Sequence, residues 1–178
     1  DDVLLLPQYS QILPTQTNTS IQLTKNIILH IPMISSAMDT VTEQLMAKEM
    51  ALLGGLGVIH KNMEVERQAE LVSWVKNCSE DSSTYKEIFG AEKSTRDKSG
   101  QLQVAAAVGV SEKERARATA LMTADVDLLV VDTAHGHSKG VEEMVQWLKN
   151  KNSSVAVAAG NIATPEGAVY ANIDKLTV

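Results

Sequence analysis

From residue 31 onward, short apolar runs without polar alternation are each followed by a helix-forming stretch, and that order admits few folds. The runs are "IPMISSAM" (31–38), "LGVIH" (56–60), "LQVAAAVGV" (102–110), "VDLLVVDTA" (126–134) and "VAVAAGN" (155–161). Strands that are apolar at every position, each followed by a helix, predict a parallel sheet covered on both faces. After the first run, Thr40 and Glu43 have capping-box spacing. Leu45, Met46, Met50 and Leu53 can form an apolar stripe, with Gly54 and Gly55 as a stop. The second helix has Val65, Ala69, Val72 and Val75 on one side. Ser111 and Glu114 form another capping box before an Ala-rich helix running to about Ala124. Ser138 then caps a helix with Val141, Met144, Val145 and Leu148 at i, i+3, i+4 and i+7. The last helix has Thr164 as N-cap and Pro165 at its first position, and "KLTV" (175–178) reads as the start of a sixth strand.

Two segments fall outside the repeat. Residues 1–30 read as an extended N-terminal segment with turns at Pro7 and Pro14, and residues 78–100 as a polar linker or surface insertion. Five βα units fit either a doubly wound open sheet or part of a (β/α)8 barrel. A Rossmann phosphate fingerprint is missing, because "GGLGV" precedes a strand where the fingerprint must follow one. A closed barrel takes about 250 residues, more than the 178 of this chain. The reading is therefore a single partial barrel domain, 1–178, covering about the first five βα units of a (β/α)8 TIM barrel.

In either architecture ligands sit beyond the C-terminal ends of the strands. The residues there are "SSAMD" (35–39), "HKN" (60–62), "DTAHGHS" (132–138) and "GN" (160–161). The segment "DTAHGHS" admits several readings. His135 and His137, with Asp132 or His60, could ligate a metal, since alternate residues of an extended segment share a side. In the plainer reading Asp132 accepts bonds from turn amides, Gly136 adopts positive φ and Ser138 caps a helix. Cys78 is the only thiol; it enters the polar linker, on the side where a barrel keeps its stability loops, so a structural role is expected.

With 44% hydrophobic and 21% charged residues, the composition is that of a globular domain. A net charge of −6 without a basic stripe gives no electrostatic reason to bind nucleic acid or an anionic membrane. No apolar stretch is long enough to span a bilayer, and "DDVLLLPQYS" lacks the features of a signal peptide. One cysteine fits a reducing compartment, so a cytoplasmic protein is expected.

The segments "DDVLLLPQYSQILP", "IPMISSAMDTVTE", "GGLGVIHKNM", "AAVGV", "LLVVDTAHGHSKGV" and "AAGNIATPEGA" resemble, in order, successive landmarks of the inosine-5′-monophosphate (IMP) dehydrogenases. The related guanosine monophosphate (GMP) reductases typically read differently at "DTAHGHS" and "HKNM". The resemblance implies an oxidoreductase of guanine nucleotide synthesis. It would convert IMP to xanthosine monophosphate (XMP) with NAD on a (β/α)8 barrel, through a loop cysteine that adds to purine C2. It implies that Ser36, Met38 and Asn161 contact the substrate, with Gly160 and Asn161 under the active-site loop. Asp132 would hold the NAD ribose, and Thr133, Ala134 and His135 would contact adenosine. No residue in this chain is expected to be catalytic or metal-binding, because the cysteine loop, which also binds potassium, would follow Val178. The 178 residues alone are thus expected to be inactive. A homotetramer is implied, as is a missing pair of regulatory CBS domains at 78–100, and "ANIDKLTV" departs from the expected pattern. The alternatives are a non-catalytic nucleotide-binding fragment or paralogue, a GMP reductase, and a metal-dependent barrel hydrolase.

Overall fold

The structure, a computed structural model, describes residues 4–79, 87 and 93–170. A 3-10 turn, Pro14–Gln16, is followed by an antiparallel hairpin of β1 (Ile21–Thr24) and β2 (Ile27–Leu29). Then come β3 (Ile34–Ser35), α1 (Gln44–Leu52), β4 (Leu56–Ile59), α2 (Val65–Lys76) and β5 (Ala105–Val108). The chain continues through α3 (Glu112–Thr123), β6 (Leu128–Asp132), α4 (Lys139–Lys151), β7 (Ala156–Gly160) and α5 (Pro165–Tyr170). The proposed sixth strand, 175–178, lies outside the described residues, as does most of 80–92.

Strands β3 to β7 form one parallel sheet in the order β3-β4-β5-β6-β7. A doubly wound sheet reverses its strand order at a switch point. This one does not, and it is the arc of a (β/α)8 barrel. Alternate residues of each strand point to opposite faces. Ile59, Ala106, Val108, Leu129, Val131, Val157 and Ala159 face outward, in one cluster with side chains of α1, α2, α3 and α4. Leu56, Val58, Ala105, Ala107, Leu128 and Ala158 face inward and pack against Ile27 and Leu29 of the hairpin. Both faces are apolar, as the unalternating runs require. The outer face is covered by the helices and the inner face by the hairpin, so the sheet is covered on both faces as expected.

The α4 stripe is as the periodicity predicts, since Val141, Met144, Val145 and Leu148 are its buried residues. Burying each one contributes about 1.5–3 kcal/mol. Helix α1 departs from the expected stripe. It buries Ala47, Ala51 and Leu52 and leaves Leu45 and Met46 exposed. The cause is close packing, because Ala47 lies directly against Gly57 of β4, where no larger side chain fits. The predicted stop after α1 is present as a Schellman motif, in which Gly54 N donates to Ala51 O and Gly55 N to Met50 O. The Thr40–Glu43 capping box does not form: Glu43 is itself the N-cap and makes no side-chain cap bond. Ser111 and Ser138 occupy N-cap positions, also without side-chain cap bonds. Thr164 does cap α5, its Oγ1 accepting from Gly167 N at 3.2 Å.

The foot of the sheet is held by ions. Lys76 Nζ, almost fully buried, donates to Asp97 Oδ2 at 2.7 Å and to Asp127 Oδ2 at 3.1 Å. Asp97 Oδ1 accepts from the Ser99 and Gln101 amides. Residues 93–100 of the polar segment are therefore tied down. Burial works against ionisation of Asp97, but the Lys76 ammonium, Ser99 and the Gln101 amide outweigh it and hold the carboxyl down to about 2. Asp127 lies deeper, and there burial prevails and pushes its pKa up.

Candidate functional site

The C-terminal ends of β3, β4, β6 and β7 bring together the loops expected to bind ligands. After β3 the chain turns sharply, with Met38 N donating to Ser36 O and both Val41 N and Thr42 N to Met38 O. The Thr42 side chain is fully buried beneath this turn. Its Oγ1 donates to Ser36 O at 2.6 Å and lies 2.9 Å from Ser35 Oγ. Ser36 and Met38 are left exposed on the outer side of a fixed loop, with Met38 54% accessible.

The loop after β4 is anchored by His60, which is 3% exposed. Its Nδ1 accepts from Asn62 N at 3.1 Å, which assigns the ring proton to Nε2, 3.4 Å from Glu43 Oε1. Glu43, freed from a capping box, thus partners a histidine. Asn62 Nδ2 donates to Asp39 Oδ2 at 2.9 Å, joining this loop to the one after β3. Lys61, between them, donates from Nζ to Asp132 O and Asp132 Oδ2, both at 3.1 Å. Ala37, Met38, Asp39, His60, Lys61, Asn62 and Glu114 line a cavity of about 420 Å³. A larger cavity, about 850 Å³, lies on the outer wall between α2 and α3, lined by Trp74 and Cys78 among others. The smaller one is the candidate site because the polar loops converge there.

Asp132 ends β6 and is partly exposed. Its neighbour Thr133 is bonded inward, both N and Oγ1 donating to Gly160 O, at 3.0 and 2.7 Å. Asn161 N returns a bond to Thr133 O, and Gly136 N donates to Asn161 O, each at 2.7 Å. The loops after β6 and β7 are thus welded edge to edge. Gly136 does not have the positive φ expected of it. A Cβ there would lie 2.8 Å from Asn161 O and 2.9 Å from Ile162 Cγ1, so close approach is what requires glycine. Ala134, His135 and Asn161 sit exposed at the rim. The rings of His135 and His137 are 6.5 Å apart, and no group of three or more His, Cys, Asp or Glu side chains converges among the described residues.

A buried polar network missed by sequence reasoning supports the rim from behind. Gln68 Nε2 donates to Ile59 O and Ala107 O, and Gln68 Oε1 accepts from Arg117 Nη1 at 2.9 Å. Arg117 also donates to Met63 O and to Glu114 Oε1, while Glu114 Oε2 accepts from Gly109 N at 2.6 Å. The predicted Ser111–Glu114 capping box is replaced by this reach to the end of β5. Helical charges usually mark a solvated face, so the sequence carries no signal for the network. Among the described residues, no helix is long and apolar enough to cross a membrane.

Comparison with known proteins agrees with this geometry. The family model described as "IMP dehydrogenase / GMP reductase domain" matches residues 1–177. The chain is 42% identical over 187 residues to the inosine-5′-monophosphate dehydrogenase of Cryptosporidium parvum, covering 93% of this chain and 46% of that protein. The Borreliella burgdorferi enzyme of the same name is 41% identical over 197 residues, covering 95% and 49%. That of Staphylococcus saprophyticus is 33% identical over 272 positions, covering 94% and 56%. Since 272 positions exceed the 178 residues here, that relative carries additional residues within the matched region. The chain spans about half the length of the curated relatives it matches. Fold, strand-end loops and family model agree: the chain belongs to the IMP dehydrogenase / GMP reductase family.

Proposed function

We propose that these residues serve a full-length enzyme that oxidises IMP to XMP, with NAD as hydride acceptor, in guanine nucleotide synthesis. The observation that carries this reading is the convergence at one sheet edge. Met38 shares a cavity with Lys61, and Lys61 is bonded to Asp132. Ser36 and Met38 would meet the nucleotide, the serine as a hydrogen-bonding group and the thioether as a polarisable surface against the base. Asn161 would meet the same ligand from the welded β6–β7 rim. NAD fits the donor set: Asp132 gives one carboxylate oxygen to Lys61 and has Oδ1 to accept from ribose hydroxyls. The exposed Ala134 and His135 would flank the adenosine side, and Thr133 would act there through its backbone, its hydroxyl being committed to Gly160. When bound, NAD supplies the hydride acceptor; these residues bind, orient and exclude water.

The thiol that this chemistry needs is not Cys78, which lines the outer wall between α2 and α3. The cysteine loop and its potassium ion are assigned to no described residue. Residues 1–178 alone would accordingly bind ligands without turnover. We read 78–100 as the position where relatives such as the Staphylococcus saprophyticus protein carry their additional residues, the expected place of CBS domains. The reading extends to a cytoplasmic homotetramer. Leu4, Leu5, Leu6, Tyr9, Ile12 and Leu13 are all exposed along the N-terminal segment, which favours chain-to-chain contact.

Steady-state kinetics of the full-length protein test the assignment. Asp132→Asn removes a charged acceptor and is expected to raise KM for NAD roughly 10- to 100-fold while sparing KM for IMP. Met38→Ala is expected to do the reverse, and Cys78→Ser to leave turnover unchanged. Equal effects of Asp132→Asn and Met38→Ala on both substrates would refute the division of the site.

A further inference from the structure

Lys61 of the loop "HKN" links the cavity of Met38 to Asp132 and is assigned to neither ligand. We propose that Lys61 is a positioning residue that sets the Asp132 carboxylate for the cofactor. This rests on the assignment of Asp132 to NAD.

Lys61 and Asp132 are 71 residues apart in sequence, on the loops after β4 and β6. One ammonium group grips two acceptors of one residue, the strand-terminal carbonyl oxygen and carboxylate Oδ2, both at 3.1 Å. Two bonds from one donor fix the rotation of the side chain, as a single bond to a freely turning carboxylate would not. Oδ2 is consumed and Oδ1 is directed elsewhere. The side chains are 34% and 40% exposed, so the pair adds little to stability. Its consequence is orientation.

The arm that carries Lys61 is itself held on both sides. His60 is buried, its ring placed between Asn62 N and Glu43, and its own N–H reaches Thr42 O at 3.4 Å. Asn62 is bonded to Asp39. The ammonium therefore starts from a fixed backbone, so its bonds to Asp132 transmit the position of the β3 and β4 loops to the cofactor side.

The experiment is a double-mutant cycle in the full-length protein, with KM for each substrate, kcat and direct calorimetric titration of NAD. Lys61→Met is expected to raise KM and Kd for NAD about tenfold, less than the roughly hundredfold that a misplacement of about 1 Å can cost. KM for IMP and the thermal midpoint should stay as in the parent. Lys61→Arg keeps a charged donor and should recover most of the loss. Lys61→Met added to Asp132→Asn should cost nothing further, because Lys61 acts only through Asp132. If the two losses multiply, Lys61 touches ligand itself and the positioning role is wrong. If Lys61→Met weakens IMP and NAD equally, its role is structural and the proposal is again overturned. If Asp132→Asn weakens NAD and Lys61→Met does not, the proposal fails while the Asp132 assignment survives. If Asp132→Asn leaves NAD unchanged, that assignment itself falls.

Discussion

Gly136 illustrates how single atoms decide the site. Its N–H bonds to Asn161 O, and its missing side chain allows the β6 and β7 loops to touch. Gly136→Ala places a Cβ 2.8 Å from that same oxygen, so the weld must open. The expected cost is about 1–3 kcal/mol of stability, the range for overpacking. Affinity for both NAD and IMP should fall, because the weld joins the loop that begins at Asp132 to Asn161. Thermal denaturation and titration of each ligand check this. Residue identity at such positions was partly legible in the sequence. The small and polar character of "DTAHGHS" marked a loop at a strand end, but the reason for glycine was misread as backbone conformation. Lys61 was legible as a strand-end residue, while its partner 71 positions away was not.

At the scale of elements, periodicity was a reliable guide where a helix buries large side chains, as α4 does. It failed for α1 because close approach of Ala47 to Gly57 governs which face turns inward, and a hydrophobic pattern does not encode that contact. The β1–β2 hairpin was missed for a different reason. Its strands have four and three residues, and its turn at Lys25 and Asn26 lacks the glycine that marks most tight hairpins. The polar segment before β5 likewise concealed a structural tie, the Lys76 bridge to Asp97 and Asp127. That tie has a pH signature. Asp97 is held down to about 2, so its contribution is present above the unfolded carboxyl value near 3.8 and is lost as pH falls through 2. With allowance for solvent screening, it amounts to about 1 kcal/mol. Asp127, pushed up, gains on protonation and opposes part of the loss. Asp97→Asn should therefore flatten the fall in stability between about pH 4 and pH 2, as measured by urea unfolding across that window. An unchanged acid slope would rule out Asp97 as its source.

For the whole molecule, sequence pattern indicated the α/β class and the missing phosphate fingerprint favoured a partial barrel over a doubly wound sheet, which the sequential strand order bears out. What the pattern could not supply was the inner cover, since one apolar run looks the same whether a helix or a hairpin packs on it. Among the described residues β3 and β7 are the sheet edges, and Ile34 on β3 is 43% exposed. A protein about twice as long, as its relatives are, has the residues to complete the cylinder. The most direct test of the account is the rate of NADH formation by the purified full-length protein when IMP is added to NAD. NADH formation should require IMP and yield one XMP per NADH. No NADH with IMP, together with NADPH consumption on adding GMP, would contradict it and assign the strand-end loops to the reductase branch of the family.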